Sequence, residues 1–165
     1  MANDNETADE SESLKIASEE FEKIGISYFS YGLVSRGEVL ACIFSNEEWG
    51  RRYRKNNYET IDPLVLGAVY SNFPLIIWDA LHTFGKEKKL MMERYEICEV
   101  KAGLTLGVKN KENTEVLAVG TKSSPQEFYT LLSDEGFLKK VYTIIRKFYV
   151  VRTENTLCLP SIEIK

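Results

Sequence analysis

SNEEWGRRYRKNNYETIDPLVLGAVYSNFPLIIWD, residues 45–79, is the stretch that decides the fold. Ser45 followed by Glu48 has the spacing of a capping box, in which a hydroxyl and a carboxylate each take an orphan backbone N–H. It predicts a helix from about Asn46 to about Asn56, with Trp49 and Tyr53 four apart on one face. Asp62-Pro63 predicts a second helix start, with Asp as N-cap and Pro at the first helical position. Pro74 ends that helix, and Ile76-Ile77-Trp78 reads as a short buried strand. Two Trp, one Tyr and one Asp therefore converge from two helix starts and a strand. A mostly apolar surface with a few donors and one acceptor is the chemistry of a small-molecule pocket.

Before this stretch, Leu14, Ala17, Phe21 and Ile24 recur at helical steps, predicting an amphipathic helix from about Ser11 to Lys23, ended by Gly25. Ile26 to Leu33 and Glu38 to Phe44 are strand-like, with Ser35-Arg36-Gly37 as a hairpin turn. After it, a helix from about Lys86 to Glu99 presents Leu90, Met91, Tyr95 and Cys98. Strands follow at Leu104–Val108 and Glu115–Thr121, then helices at about Pro125–Leu132 and Asp134–Val151, the first opened by Ser124-Pro125 with Glu127. Leu157–Lys165 is undetermined. The order α-β-β-α-α-β-α-β-β-α-α predicts an α/β/α sandwich around a central antiparallel sheet of about five strands.

The pattern W-x3-Y-x8-D-P with a downstream W-D resembles the autoinducer-binding domain of LuxR-type quorum-sensing regulators. Trp49, Tyr53, Asp62, Pro63 and Trp78 fall on its motif positions, Gly103 matches a further family glycine, and the resemblance spans roughly Leu14 to Val150. It implies the same fold and an N-acyl homoserine lactone as ligand, with no other cofactor. By resemblance, Trp49 donates to the lactone carbonyl, Tyr53 donates to the amide carbonyl, Asp62 accepts the amide N–H, and Trp78 packs on the lactone ring. The donor and acceptor capacities of these side chains agree with those roles. The plain alternatives are core packing for Trp49 and Trp78 and a pure helix cap for Asp62. On this reading Asp62→Asn keeps the cap and weakens binding alone.

The acyl chain is expected among Met91, Tyr95, Leu104 and Leu106; ordinary core is the alternative for all four. The sequence departs from the family at two positions. Ser45 stands where a Tyr is frequent, and Gly120, with Thr121 beside it, stands where a Ser or Thr is frequent. Both changes remove polar contacts near the acyl end, so Gly120 and Thr121 belong to the expected site.

The whole chain bounds these readings. At 165 residues it makes one domain with a real core. The net charge is −4, but residues 1–20 carry −6 and the remainder +2. Residues 1–10 are expected to be a mobile acidic tail, 11–152 the ligand-binding domain, and 153–165 a C-terminal tail. No recognition-helix pattern follows Val150, so no helix-turn-helix domain and no sequence-specific DNA binding are expected of this chain. Arg51, Arg52, Arg54 and Lys55 read as a solvated face, without the interleaved aromatics of a nucleic-acid surface. No run is long and apolar enough to span a membrane, no leader is present, and Cys42, Cys98 and Cys158 lack metal spacing, which predicts a cytoplasmic protein with reduced thiols. His82 has no G-x-S-x-G partner and no metal cluster is visible, so no enzyme is expected. The broad apolar stripe from Phe137 to Tyr149 is either burial against the sheet or a dimer surface. A homodimer is expected, or a heterodimer with a full-length relative. Two functional classes stand: the sensor half of a regulator or a stand-alone domain that sequesters signal, and a sensor of some other apolar ligand.

Overall fold

The computed structural model describes the backbone of residues 4–71 and 75–148, and the side chains from Ser11 onward among them. Helix α1 (Asp4–Glu22) begins well before the expected Ser11. No Gly or Pro interrupts residues 4–10, so that much of the expected tail is helical. Strands β1 (Tyr28–Ser35) and β2 (Glu38–Phe44) are joined by Arg36-Gly37 at φ 51° and 82°. Positive φ at both loop residues matches the twist of the flanking strands and closes the two-residue hairpin.

Helix α2 (Glu47–Lys55) is capped by Asn46, whose side chain accepts from the Trp49 N–H at 2.8 Å. The expected capping box on Ser45 does not form. The Ser45 hydroxyl instead accepts from the Phe29 N–H at 2.9 Å, tying the end of β2 to β1. Helix α3 (Pro63–Tyr70) has Asp62 as N-cap with Pro at its start, as expected, and ends with Ser71 as C-cap. Pro74 lies outside the described residues. The short β3 (Leu75–Ile77) runs into a 3₁₀ turn that begins at Trp78, so Trp78 follows the strand rather than closing it. Then come α4 (Gly85–Ile97), β4 (Ala102–Lys109), β5 (Asn113–Thr121), α5 (Pro125–Leu132) and α6 (Phe137–Phe148). The capping box at α5 is complete: Ser124 accepts from the Glu127 N–H and Glu127 from the Ser124 N–H.

The five strands pair antiparallel in the order β2-β1-β5-β4-β3, and the expected sandwich is the observed one. Strand residues alternate between faces. On one face Phe29, Tyr31, Leu104, Leu117 and Val119 join Ala17 and Phe21 of α1, Phe128 of α5, and Phe137, Val141 and Ile145 of α6 in a single core. Glu115 is buried on this side. It accepts from the Tyr31 hydroxyl at 2.8 Å and pairs with Arg146 at 3.5 Å, which offsets the cost of a buried carboxylate. The stripe of α6 is thus taken up largely by its own domain, with Phe137, Val141, Ile144 and Ile145 all buried. On the other face Tyr28 and Ala118 pack with Trp49, Tyr53, Leu64, Trp78, Leu90 and Met91, and Val34 and Val116 pack with Ala68. No helix among the described residues is long and apolar enough to cross a membrane.

Candidate ligand-binding site

The site lies between the second face of the sheet and the layer made by α2, α3 and α4. Trp49 and Tyr53 leave the same side of α2, one turn apart, and both are buried. With Tyr58 they form an aromatic wall: Trp49 and Tyr53 centroids stand 5.8 Å apart and Tyr53 meets Tyr58 edge-on at 6.0 Å. Trp78 lies flat on β4 at Gly103. A Cβ on Gly103 would stand 2.4–2.6 Å from the indole, so only glycine admits the ring there. The Trp78 Nε1 donates to Thr105 Oγ1 at 3.0 Å, which fixes the ring in its plane.

Asp62 is 2% exposed, so its charge needs partners. One oxygen accepts from the Leu64 N–H at 3.0 Å, completing the helix cap, and the other accepts from the Tyr53 hydroxyl at 2.8 Å. The remaining partner is Arg94, from α4, which donates Nη1 to Oδ1 at 3.3 Å and Nη2 to Oδ2. Its guanidinium, also 2% exposed, lies between the two tryptophans, 5.2 Å from the Trp49 ring and 5.7 Å from the Trp78 ring. Arg94 Nη1 also meets Met91 Sδ at 2.9 Å. A bidentate Arg–carboxylate pair stacked on aromatic faces is the arrangement a guanidinium suits best.

Arg94 does not figure in the sequence-based site. Its signal is periodicity, because Leu90, Arg94 and Cys98 follow at four-residue steps along the buried side of α4.

The remaining expected residues divide by strand parity. Met91 is buried in the site and Tyr95 meets Trp78 edge-on at 5.9 Å. Leu104 and Leu106 face the opposite core with α1 and α6, and cannot line this pocket. Gly120 is on the site's face, where an added Cβ would stand 3.0 Å from a Val100 methyl, which explains the absence of a larger residue. Thr121 is on the other face, donating to the Gly25 carbonyl at 2.9 Å. The open part of the site runs instead from Asp62 and Arg94 to an apolar end formed by Val34, Val39, Val65 and Val116, between the β1–β2 hairpin and α3. Its free volume is about 40 Å³, room for a water or two. A small-molecule site has roughly 300–1,000 Å³, so the cleft in this conformation is smaller than an acylated ligand would need.

Burial raises the pKa values of the site's neutral acids, making each a weaker acid. The Tyr28 and Tyr53 hydroxyls are pushed well above the usual phenol range by burial, and Tyr53 further by Asp62. Burial pushes the Cys98 thiol up to about 12, and burial with Asp79 pushes Tyr95 up to about 12. For Arg94 burial acts downward, but Asp62, Tyr28 and Tyr53 together outweigh it and the group stays charged. The ordinary values are 9.0 for Cys and 10.0 for Tyr. A raised folded-state value means the unfolded chain loses its proton first, so stability is intact below about pH 9 and declines as pH rises from 9 toward 12. Each proton so linked costs about 1.4 kcal/mol per pH unit. Urea unfolding from pH 8 to 11 should show a level region followed by a steepening fall; a flat profile to pH 11 contradicts the burial of these groups.

Arg52 pairs with Glu93 at 3.0 Å in solvent, and Arg54 lies 5.4 Å over Phe44, so these members of the basic cluster serve the exposed side of α2. Among the described residues no group of three His, Cys, Asp or Glu side chains could hold a metal ion.

Comparison with known proteins agrees with this geometry. The family model described as autoinducer binding domain matches residues 9–141. No curated protein matches the chain. The N-acylhomoserine-lactone-dependent LuxR family transcription factor CepR2 of Burkholderia cenocepacia has a similar structure, with TM-score 0.60 and 17% identity over 84% of this chain and 94% of that one. Escherichia coli SdiA has TM-score 0.58 and 14% identity over 94% of this chain and 66% of SdiA. SdiA in complex with octanoyl-rac-glycerol has TM-score 0.54 and 13% identity over 94% and 64%. The chain therefore spans about two thirds of the SdiA chains.

Proposed function

Because the chain belongs to the autoinducer-binding domain family of LuxR-type regulators, a family of signal-binding domains rather than enzymes, we propose that it is a quorum-sensing receptor domain. Its ligand is an acylated lactone, with N-acyl homoserine lactones as the reference class. The observation that carries this reading is the convergence of Trp49, Tyr53, Asp62 and Trp78 on one buried centre that continues into an apolar cleft. The lactone lies at the tryptophans, and the acyl chain lies in the valine-lined end rather than along Leu104 and Leu106. CepR2 is described as N-acylhomoserine lactone dependent and SdiA is found with octanoyl-rac-glycerol, so the acyl group is what these two ligands share. In this reading the described residues sense the signal, and recognition of DNA belongs to other residues.

The test is thermodynamic linkage. A ligand that binds only the folded domain stabilises it by RT ln(1 + [L]/Kd), about 2.7 kcal/mol at a hundredfold excess over Kd. Acyl lactones of graded chain length should raise the melting temperature, and free fatty acids should leave it unchanged. Indifference to every acyl lactone would remove the assignment.

A further inference from the structure

We infer that the polar centre of this pocket fits a neutral head group that offers acceptors and brings no donor, so that an acyl ester of a lactone is taken at least as well as the acyl amide. This rests on the reading of the pocket as the signal site, and Arg94 is the residue that sets the preference. An ionised carboxylate has about four acceptor positions. Asp62 uses its own on the Tyr53 hydroxyl, the Leu64 N–H and two nitrogens of Arg94. An incoming amide N–H finds no acceptor at Asp62 unless it breaks the buried ion pair.

The unpartnered groups are of the opposite kind. Trp49 Nε1 and Arg94 Nε are buried and make no hydrogen bond, and both can only donate. The Tyr28 hydroxyl is within reach of the Ser30 hydroxyl and close enough to Arg94 to feel its charge. It can donate or accept, yet the balance remains in favour of donors. A buried donor left unmet is costly, and a carbonyl oxygen meets it directly. Charge selects further. Arg94 and Asp62 already neutralise each other, so an anionic ligand would leave one uncompensated charge out of water. Carbonyl oxygens of an ester and a lactone supply acceptors without charge, and replacing the amide N–H by oxygen removes a donor for which Asp62 has no free position.

The experiment uses the unaltered 165-residue chain, so no variant has to fold. Titration calorimetry compares N-octanoyl homoserine lactone, its ester counterpart α-octanoyloxy-γ-butyrolactone, and the ring-opened carboxylate N-octanoyl homoserine. The expected result is a Kd for the ester equal to or below that of the amide, with the carboxylate at least tenfold weaker than both. An amide more than tenfold tighter than the ester means that Asp62 accepts its N–H and Arg94 moves aside; that overturns this inference and leaves the signal-site reading standing. A carboxylate that binds tightest overturns the neutral head group. Failure of all three to bind overturns the inference together with the reading beneath it.

Discussion

Replacing Arg94 by methionine lowers the unfolding free energy by about 3–5 kcal/mol, the cost of removing one partner of a buried ion pair. Asp62 would keep the Tyr53 hydroxyl and the Leu64 N–H but stand charged at 2% exposure with no cation beside it. The two tryptophans would also lose the guanidinium between their rings. At about 2–4 °C per kcal/mol for a chain of this size, the melting temperature should fall by roughly 6–20 °C. The double variant Arg94→Met/Asp62→Leu should recover much of the loss, because replacing both partners by apolar groups leaves no orphaned charge. Non-additivity of that kind separates the pair from two independent packing effects. A single-variant shift within about 2 °C would mean the pair carries little. The same geometry corrects the expectation that Asp62→Asn affects binding alone: asparagine still caps α3 but cannot neutralise Arg94, so the fold weakens too.

Gly103→Ala should cost about 2–3 kcal/mol, at the upper end for overpacking in a core, and Gly103→Val more. The added carbon meets three atoms of the Trp78 indole at 2.4–2.6 Å. The ring cannot withdraw, since Thr105 holds its Nε1, Arg94 lies on its face and Tyr95 abuts it. Gly120→Ala is the internal control. It meets a Val100 methyl at 3.0 Å, the end of a side chain that can shift, and its cost should be clearly smaller. Denaturant melts give the energies, and near-ultraviolet circular dichroism reports the tilt of the indole. Equal costs at the two glycines would show that Trp78 is not clamped.

The order of elements was legible because each start carries its own local chemistry: Asp62-Pro63, Ser124-Pro125-Glu127 and the Arg36-Gly37 turn all act through atoms within a few residues. The cap of α2 was placed one residue early because Ser45 and Asn46 are both good N-caps, and only the long-range bond from the Phe29 N–H to Ser45 decides between them. Trp49, Tyr53, Asp62 and Trp78 were legible as a set through their spacing. Leu104 and Leu106 were assigned to the wrong face, although parity with Gly103 places them opposite Trp78. Arg94 was missed because a charged residue in KEKKLMMERYE reads as solvent-facing; its partner Asp62 is 32 residues away, and no local pattern links them.

Strand β5 carries two scripts in alternate letters. Glu115, Leu117, Val119 and Thr121 are read by the side of α1 and α6, while Val116, Ala118 and Gly120 are read by the side of α2, α3 and α4. A single substitution therefore revises one script and leaves the other intact. On the proposed reading, changes at the even-numbered positions rewrite the layer that meets the signal, one letter at a time, and leave the core under α1 and α6 as it was.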